Sequence, residues 1–150
     1  MPYPGDLTKE LLGLKASRLA DSLPQTAQEA LFTISGGRII VLTLIGEVTT
    51  IMGAVANNLS LIANPLVGAD LPLSAVVASA NDDVGTLYAL PGAFATALVK
   101  GVAVPLPSNP IILKPGTLDL LTSASNTGAA KWDLYWMPLD GGAKVVPTAI

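Results

Sequence analysis

One stretch constrains this chain more than any other: Phe32 to Thr50, FTISGGRIIVLTLIGEVTT. From Arg38 to Ile45 it is almost unbroken in branched apolar residues. A run of that kind suits a strand covered on both faces, in a sheet interior or against a partner chain. Ser35-Gly36-Gly37 precedes it, and glycine reaches the positive φ values of tight turns without a Cβ clash. The stretch therefore reads as strand, hairpin turn and long second strand. The remainder of the chain has to supply what covers it.

Composition narrows what that cover can be. The chain has 150 residues, the length of one domain with a substantial core. Only 13% of residues are charged, against about 25% in an ordinary soluble domain. A surface so poor in charge points to an obligate oligomer or a subunit docked on a larger assembly, the alternative being a neutral surface of Ser, Thr, Asn and Ala. Cysteine is absent, which removes disulfides and thiolate metal sites. Histidine is absent too, which removes the common zinc ligand and the usual general base near neutrality. The net charge is −3 and the eight basic residues are scattered, so no concentrated positive face is offered to nucleic acid. Val48 to Ala69 is uncharged and about as long as a spanning helix, but its asparagines and Pro65 break it, so no membrane span is expected. The N-terminus lacks the basic and apolar regions of a secretory signal.

Along the chain, Met1 to Gly5 reads as an extended arm. A short helix follows to Ser22, with Leu7, Leu11, Leu14 and Arg18 on one face and an opening cap at Asp6 or Thr8. Residues 1–24 are thus set apart from a β domain over 25–150. In the latter, Leu59 and Leu61 alternate with polar neighbours until Pro65, and Leu73 to Ser79 reads as another strand. Lys114-Pro115-Gly116-Thr117 has the proline and glycine positions of a type II turn. In Ala130 to Met137, Trp132, Leu134 and Trp136 share one face and Lys131, Asp133, Tyr135 and Met137 the other. About eight to ten strands separated by Gly, Pro and Asn turns indicate an all-β fold, a sandwich or a jelly-roll-like barrel, with the N-terminal arm and helix attached.

Chemistry is sparse. Asn81-Asp82-Asp83 with Asp70 offers oxygen ligands for a cation, but without calcium-loop spacing it reads as a solvated turn, and no metal or other cofactor is expected. Glu47, Asp119 and Asp133 are the carboxylates available for a glycosidase pair, and strand alternation accounts for them equally well. Trp132, Tyr135 and Trp136 suggest rings that stack on sugar, yet the two tryptophans are in phase and read more simply as core. No enzyme is read from these residues.

The motifs of the C-terminal third carry a resemblance. Ile111 to Leu120 with its Pro115-Gly116-Thr117 turn, then Ser125-Asn126-Thr127-Gly128, then Trp132 and Pro138-Leu139-Asp140-Gly141-Gly142-Ala143 occur in this order. Earlier, Gly36-Gly37-Arg38, Gly46 to Thr50, Ala56-Asn57-Asn58 and Gly85-Thr86-Leu87-Tyr88 belong to the same pattern. Together, over about residues 30 to 143, they resemble small structural virion proteins of tailed bacteriophages, of the capsid-decoration type. The resemblance implies a β-rich subunit, commonly a homotrimer, that sits on the major capsid protein or another virion protein. It implies assembly in the host cytoplasm, a place on the capsid surface, and no catalytic residues. A carbohydrate- or receptor-binding module of a tail or fibre is the alternative. Candidate interface residues are Leu7, Leu11, Leu14, Ile39, Val41 and Tyr135, with Leu44, Leu59 and Leu61 joining Ile39 and Val41 as core or interface packing.

Overall fold

A computed structural model describes residues 13–107 and 109–149. Twelve strands follow in order: β1 (Leu14–Ser22), β2 (Gln28–Ser35), β3 (Ile39–Thr50), β4 (Asn58–Pro65), β5 (Leu71–Pro72), β6 (Val77–Ala78), β7 (Leu87–Ala89), β8 (Val99–Gly101), β9 (Ile111–Leu113), β10 (Gly116–Thr122), β11 (Ala129–Pro138) and β12 (Lys144–Pro147). They form two six-stranded sheets. The first runs β1-β11-β3-β7-β8, with β9 also paired to β3; the second runs β12-β2-β10-β4-β5, with β6 also paired to β4. One core lies between them. Ile39, Val41, Leu44, Val48, Trp132, Leu134 and Trp136 fill it from the first sheet, and Phe32, Ile34, Leu59, Leu61, Leu118 and Leu120 from the second.

The period-two alternation of β11 is realised: Trp132, Leu134 and Trp136 are buried, and Lys131 and Met137 are exposed. Opposite Trp132 stands Gly46 of β3, and a Cβ there would lie 2.5–2.8 Å from the indole ring. The absent side chain makes room for the indole, which stacks with Tyr88 of the next strand at 6.4 Å between centroids.

Both sheets are open, so the barrel is not formed, and among the described residues there is no helix. The expected helix is replaced from Leu14 to Ser22 by an edge strand paired with β11, Leu14 opposite Trp136 and Arg18 opposite Trp132. The physical reason is an ambiguity of period. Residues four apart share a face in a helix and in a strand alike, so Leu14 and Arg18 satisfy both. Ala16, buried between them, fits only the strand. Arg18 is itself 3% exposed and reaches Glu29 of β2 at 2.8 Å and Asp21 at 3.3 Å, an ion-pair link from the edge of one sheet to the other. The arm and first helical turns, with Leu7 and Leu11, lie outside the described residues.

The opening hairpin is also corrected. β2 and β3 do not pair; they belong to different sheets, and Ser35-Gly36-Gly37-Arg38 carries the chain across between layers. Leu139 to Ala143 makes the same crossing from β11 to β12, directly beside it. Gly36 has φ +77° and lies so close to the Gly142 carbonyl that a Cβ could not be accommodated. Arg38 clamps the twin crossings. Its Nε and Nη2 each donate to Asp140 at 2.9 Å, its backbone N donates to Asp140 at 2.9 Å, and its carbonyl accepts from Leu139 N at 3.0 Å. The hydrogen bonds and charge of Arg38 hold the Asp140 carboxyl well below the usual carboxylate range. Pro115-Gly116 behaves likewise. Gly116 has φ +149°, outside type II geometry, and the segment passes from β9 in one sheet to β10 in the other. The Leu73 to Ser79 strand shrinks to the two residues of β6.

A candidate assembly surface

The inner face of β3 supplies core, so its candidates divide by phase. Ile39 and Val41 are 0% and 2% exposed and point between the sheets. They serve packing within the chain and are not available to a partner. Leu44, Leu59 and Leu61 are core as well. Leu14 is half-buried and packs against the core edge. Of the described candidates only Tyr135 lies on an outer face.

Around Tyr135 the outer face of the first sheet is apolar. Met137, Ile40 and Ile112 stand side by side on β11, β3 and β9, where Met137 is opposite Ile40 and Ile40 opposite Ile112. Ile112 is 59% exposed. Beyond that row β3 carries a bulge: Trp136 is opposite Val41 and Tyr135 opposite Thr43, which leaves Leu42 as the extra residue. A bulge turns consecutive residues toward one side. Leu42 and Thr43 accordingly line a cleft of about 400 Å³ with Ile45, Leu106, Pro107, Pro110 and Tyr135. Leu106 is 68% exposed on its rim. A second depression of about 300 Å³ continues the surface past Pro110 and Ile112 to Phe94. Charge on this face gathers toward the other end of β11, where Lys15 pairs with Asp133 at 3.7 Å and Lys131 with Glu47 at 3.5 Å. The Lys15 ammonium also lies 5.8 Å from the Tyr135 ring centroid.

Leu42, Ile45, Leu106 and Ile112 were not singled out from sequence. The signal for the first two was present in the Arg38–Ile45 run, whose outward phase is as apolar as its inward one. Leu106 and Ile112 come from a proline-rich connection and a three-residue strand, where no period can be read.

The other chemistry-bearing groups do not converge on a catalytic arrangement. Asp119 and Asp133 lie on β10 and β11, in different sheets. Asp133 accepts from Ser17 at 2.6 Å, and Asp119 from Gln28 at 2.6 Å. Asp82 does not meet Asp70. It accepts from the Tyr88 hydroxyl and pairs with Lys100 at 3.0 Å. Burial, with Asp82 beside it, holds the Tyr88 hydroxyl above its ordinary value. Among the described residues no three acidic side chains gather as metal ligands, and no helix is long and apolar enough to cross a membrane. Trp132 and Trp136 are buried, which leaves Tyr135 as the one ring of that trio on a cleft.

Asn126, of the Ser125-Asn126-Thr127-Gly128 motif, has a structural task. Its Oδ1 accepts from Gly53 N at 2.7 Å and Gly128 N at 3.1 Å, and its Nδ2 donates to the carbonyls of Gly53 and Val55, each at 3.1 Å. Asn57 does similar work, accepting from Ser123 N and Ala124 N, each at 3.1 Å. Comparison with family models, curated proteins and solved structures finds no match to this chain, so the surface stands on its own geometry.

Proposed function

We propose that this protein is a structural virion component of the capsid-decoration type that self-associates, as a homotrimer, through the outer face of its first sheet. The observation that carries the reading is the apolar surface of Ile40, Leu42, Tyr135, Leu106 and Ile112 on a chain with 13% charged residues. The resemblance of the ordered turn motifs to those of small phage head proteins supplies the virion context of the proposal: assembly in the host cytoplasm and a seat on the major capsid protein. The mechanism is burial. A specific interface covers roughly 800 Å² per partner, and each Å² of apolar surface contributes about 25 cal/mol gross, before the entropy of association.

Native mass by light scattering tests it. The wild type is expected at three times the protomer mass. The double variant Leu106→Asp, Ile112→Lys is expected to be monomeric with an unchanged far-ultraviolet spectrum and no co-sedimentation with phage heads. A monomeric wild type, or an oligomer indifferent to the double substitution, would overturn the proposal. Tyr135 in its cleft favours one second reading, a glycan- or receptor-binding tail module. Specific glycan binding abolished by Tyr135→Ala would establish it.

A further inference from the structure

The outer face of the second sheet holds a cluster that the assembly reading does not use. β2, β10 and β4 are adjacent strands, and Asp119 of β10 sits opposite Ala30 and Ile62. Gln28 and Asn64 are two positions along from those partners, so they are its diagonal neighbours on the same face. Gln28 Nε2 donates to Asp119 Oδ2 at 2.6 Å and to Asp70 Oδ2 at 3.2 Å, and Asn64 Nδ2 donates to Asp119 Oδ2 at 3.3 Å. Asp119 forms the floor and is 3% exposed; Gln28, Asn64 and Asp70 form an exposed rim.

Two features of this cluster are unexplained by folding alone. Asp119 Oδ1 is buried and has no hydrogen-bond partner. Among the described residues no lysine or arginine pairs with Asp119 or Asp70. A buried carboxylate without a counter-charge is costly and is ordinarily paired or bound to metal. The two carboxamides donate to these carboxylate oxygens as they stand, and each also carries an oxygen that a counter-charge could use. Each amide can turn by half a rotation to present its carbonyl in place of its NH2. With Gln28 turned, its Oε1 stands where two carboxylate oxygens already flank the Nε2. Asn64 turned adds a fourth oxygen. Two carboxylates and two amide carbonyls are the donor set of a hard cation, with water completing the six to eight ligands of calcium. The two negative charges match one divalent ion.

We propose that Asp119, Asp70, Gln28 and Asn64 form a calcium site that ties the loop before β5 to the face of the second sheet. Calcium chloride against a chelator, read by thermal unfolding and by titration calorimetry, tests it. One ion per chain is expected. With calcium at roughly ten times its dissociation constant, Tm rises by about 3–5 °C. Asp119→Asn reverses the order: without calcium the variant is at least as stable as the wild type, because a buried charge is removed, and with calcium it gains nothing. Asp70→Asn, on the exposed rim, keeps the fold and loses most of the binding, so the test survives if Asp119→Asn does not fold. No heat and no Tm shift up to about 10 mM calcium, beyond the weakest ordinary calcium sites, would overturn the proposal. An equal shift in both variants would do the same. Neither readout depends on native mass, so failure here is separable from failure of the assembly reading.

Discussion

Replacing Asn126 by alanine removes one small side chain and four hydrogen bonds. The side chain is 3% exposed, and all four bonds go to backbone: Gly53 N, Gly53 O, Val55 O and Gly128 N. A typical intramolecular hydrogen bond contributes about 1 kcal/mol net, so the gross loss is about 4 kcal/mol. Water entering the vacated space recovers part of it, which sets the expected loss at about 2–4 kcal/mol. Asn126→Asp separates the contributions. It keeps the two accepted bonds but aims a carboxylate at the carbonyls of Gly53 and Val55, so it is expected to cost at least half as much as alanine. Urea unfolding followed by tryptophan fluorescence reads the difference, because Trp132 and Trp136 are both buried. Amide exchange at Gly53 and Gly128 should quicken more than the global change alone requires, because those two amides lose their acceptor. A loss under about 1 kcal/mol for Asn126→Ala, with exchange unchanged at both glycines, would refute the view that this residue joins the β3–β4 and β10–β11 connections.

Three further outcomes follow from the geometry. Gly46→Ala drives a methyl group against the Trp132 ring and should cost about 1–3 kcal/mol in the same assay, with a shifted emission maximum; the added change Trp132→Leu should recover part of it. Tyr88 has a raised folded value, so its contribution is complete below the ordinary tyrosine value near 10 and is lost as pH rises through the folded one. Absorbance titration should therefore show Tyr88 silent through pH 10–11 in the folded protein and ionising on unfolding, whereas Asp82→Asn should ionise earlier. Asp140 has a depressed value, so its contribution is present above the ordinary carboxylate value near 4 and is lost as pH falls toward the folded one. Acid unfolding of Asp140→Asn should lack that component, and an acid profile identical to the wild type would count against the Arg38 clamp.

The strands with sustained alternation were legible, and the reason is geometric. β11 places Trp132, Leu134 and Trp136 on one side within five residues, and only a strand does that. β2 and β3 were legible as strands but not as members of different sheets. A glycine turn between two apolar runs looks alike whether it closes a hairpin or carries the chain between layers. What decides it is the neighbour, here Asp140 and Gly142, about a hundred residues away in sequence. β1 failed on a shared period, since Leu14 and Arg18 suit both readings. Two of the interface candidates, Ile39 and Val41, differ on phase. Ile39 and Val41 lie in the most apolar run, yet within such a run only pairing to β11 and the bulge at Leu42 settle which residues face out. Asp119 is legible in the sequence as a carboxylate, but its company of Gln28, Asn64 and Asp70 comes from two neighbouring strands and a loop, which no local pattern encodes.

The open sheets also bear on how such a protein can associate. An unclosed sheet exposes unpaired backbone at each edge, a template for another chain's strand. Here each edge is made unattractive. β8 is three residues long, β5 is two and includes Pro72, and β12 ends at Pro147. Proline has no N–H to donate to an added strand. β1, the longest edge, carries a register shift between Arg18 and Asp21 and presents Lys15 beside Tyr135. Strand addition at β8, β5 or β12 forms few ladder bonds. The proposed association through the first sheet would then be face to face, carried by side chains such as Leu42, Leu106 and Ile112 rather than by backbone pairing. Such a contact should weaken when a charge enters the face and be indifferent to a proline placed in β8, which is the opposite of what edge addition requires.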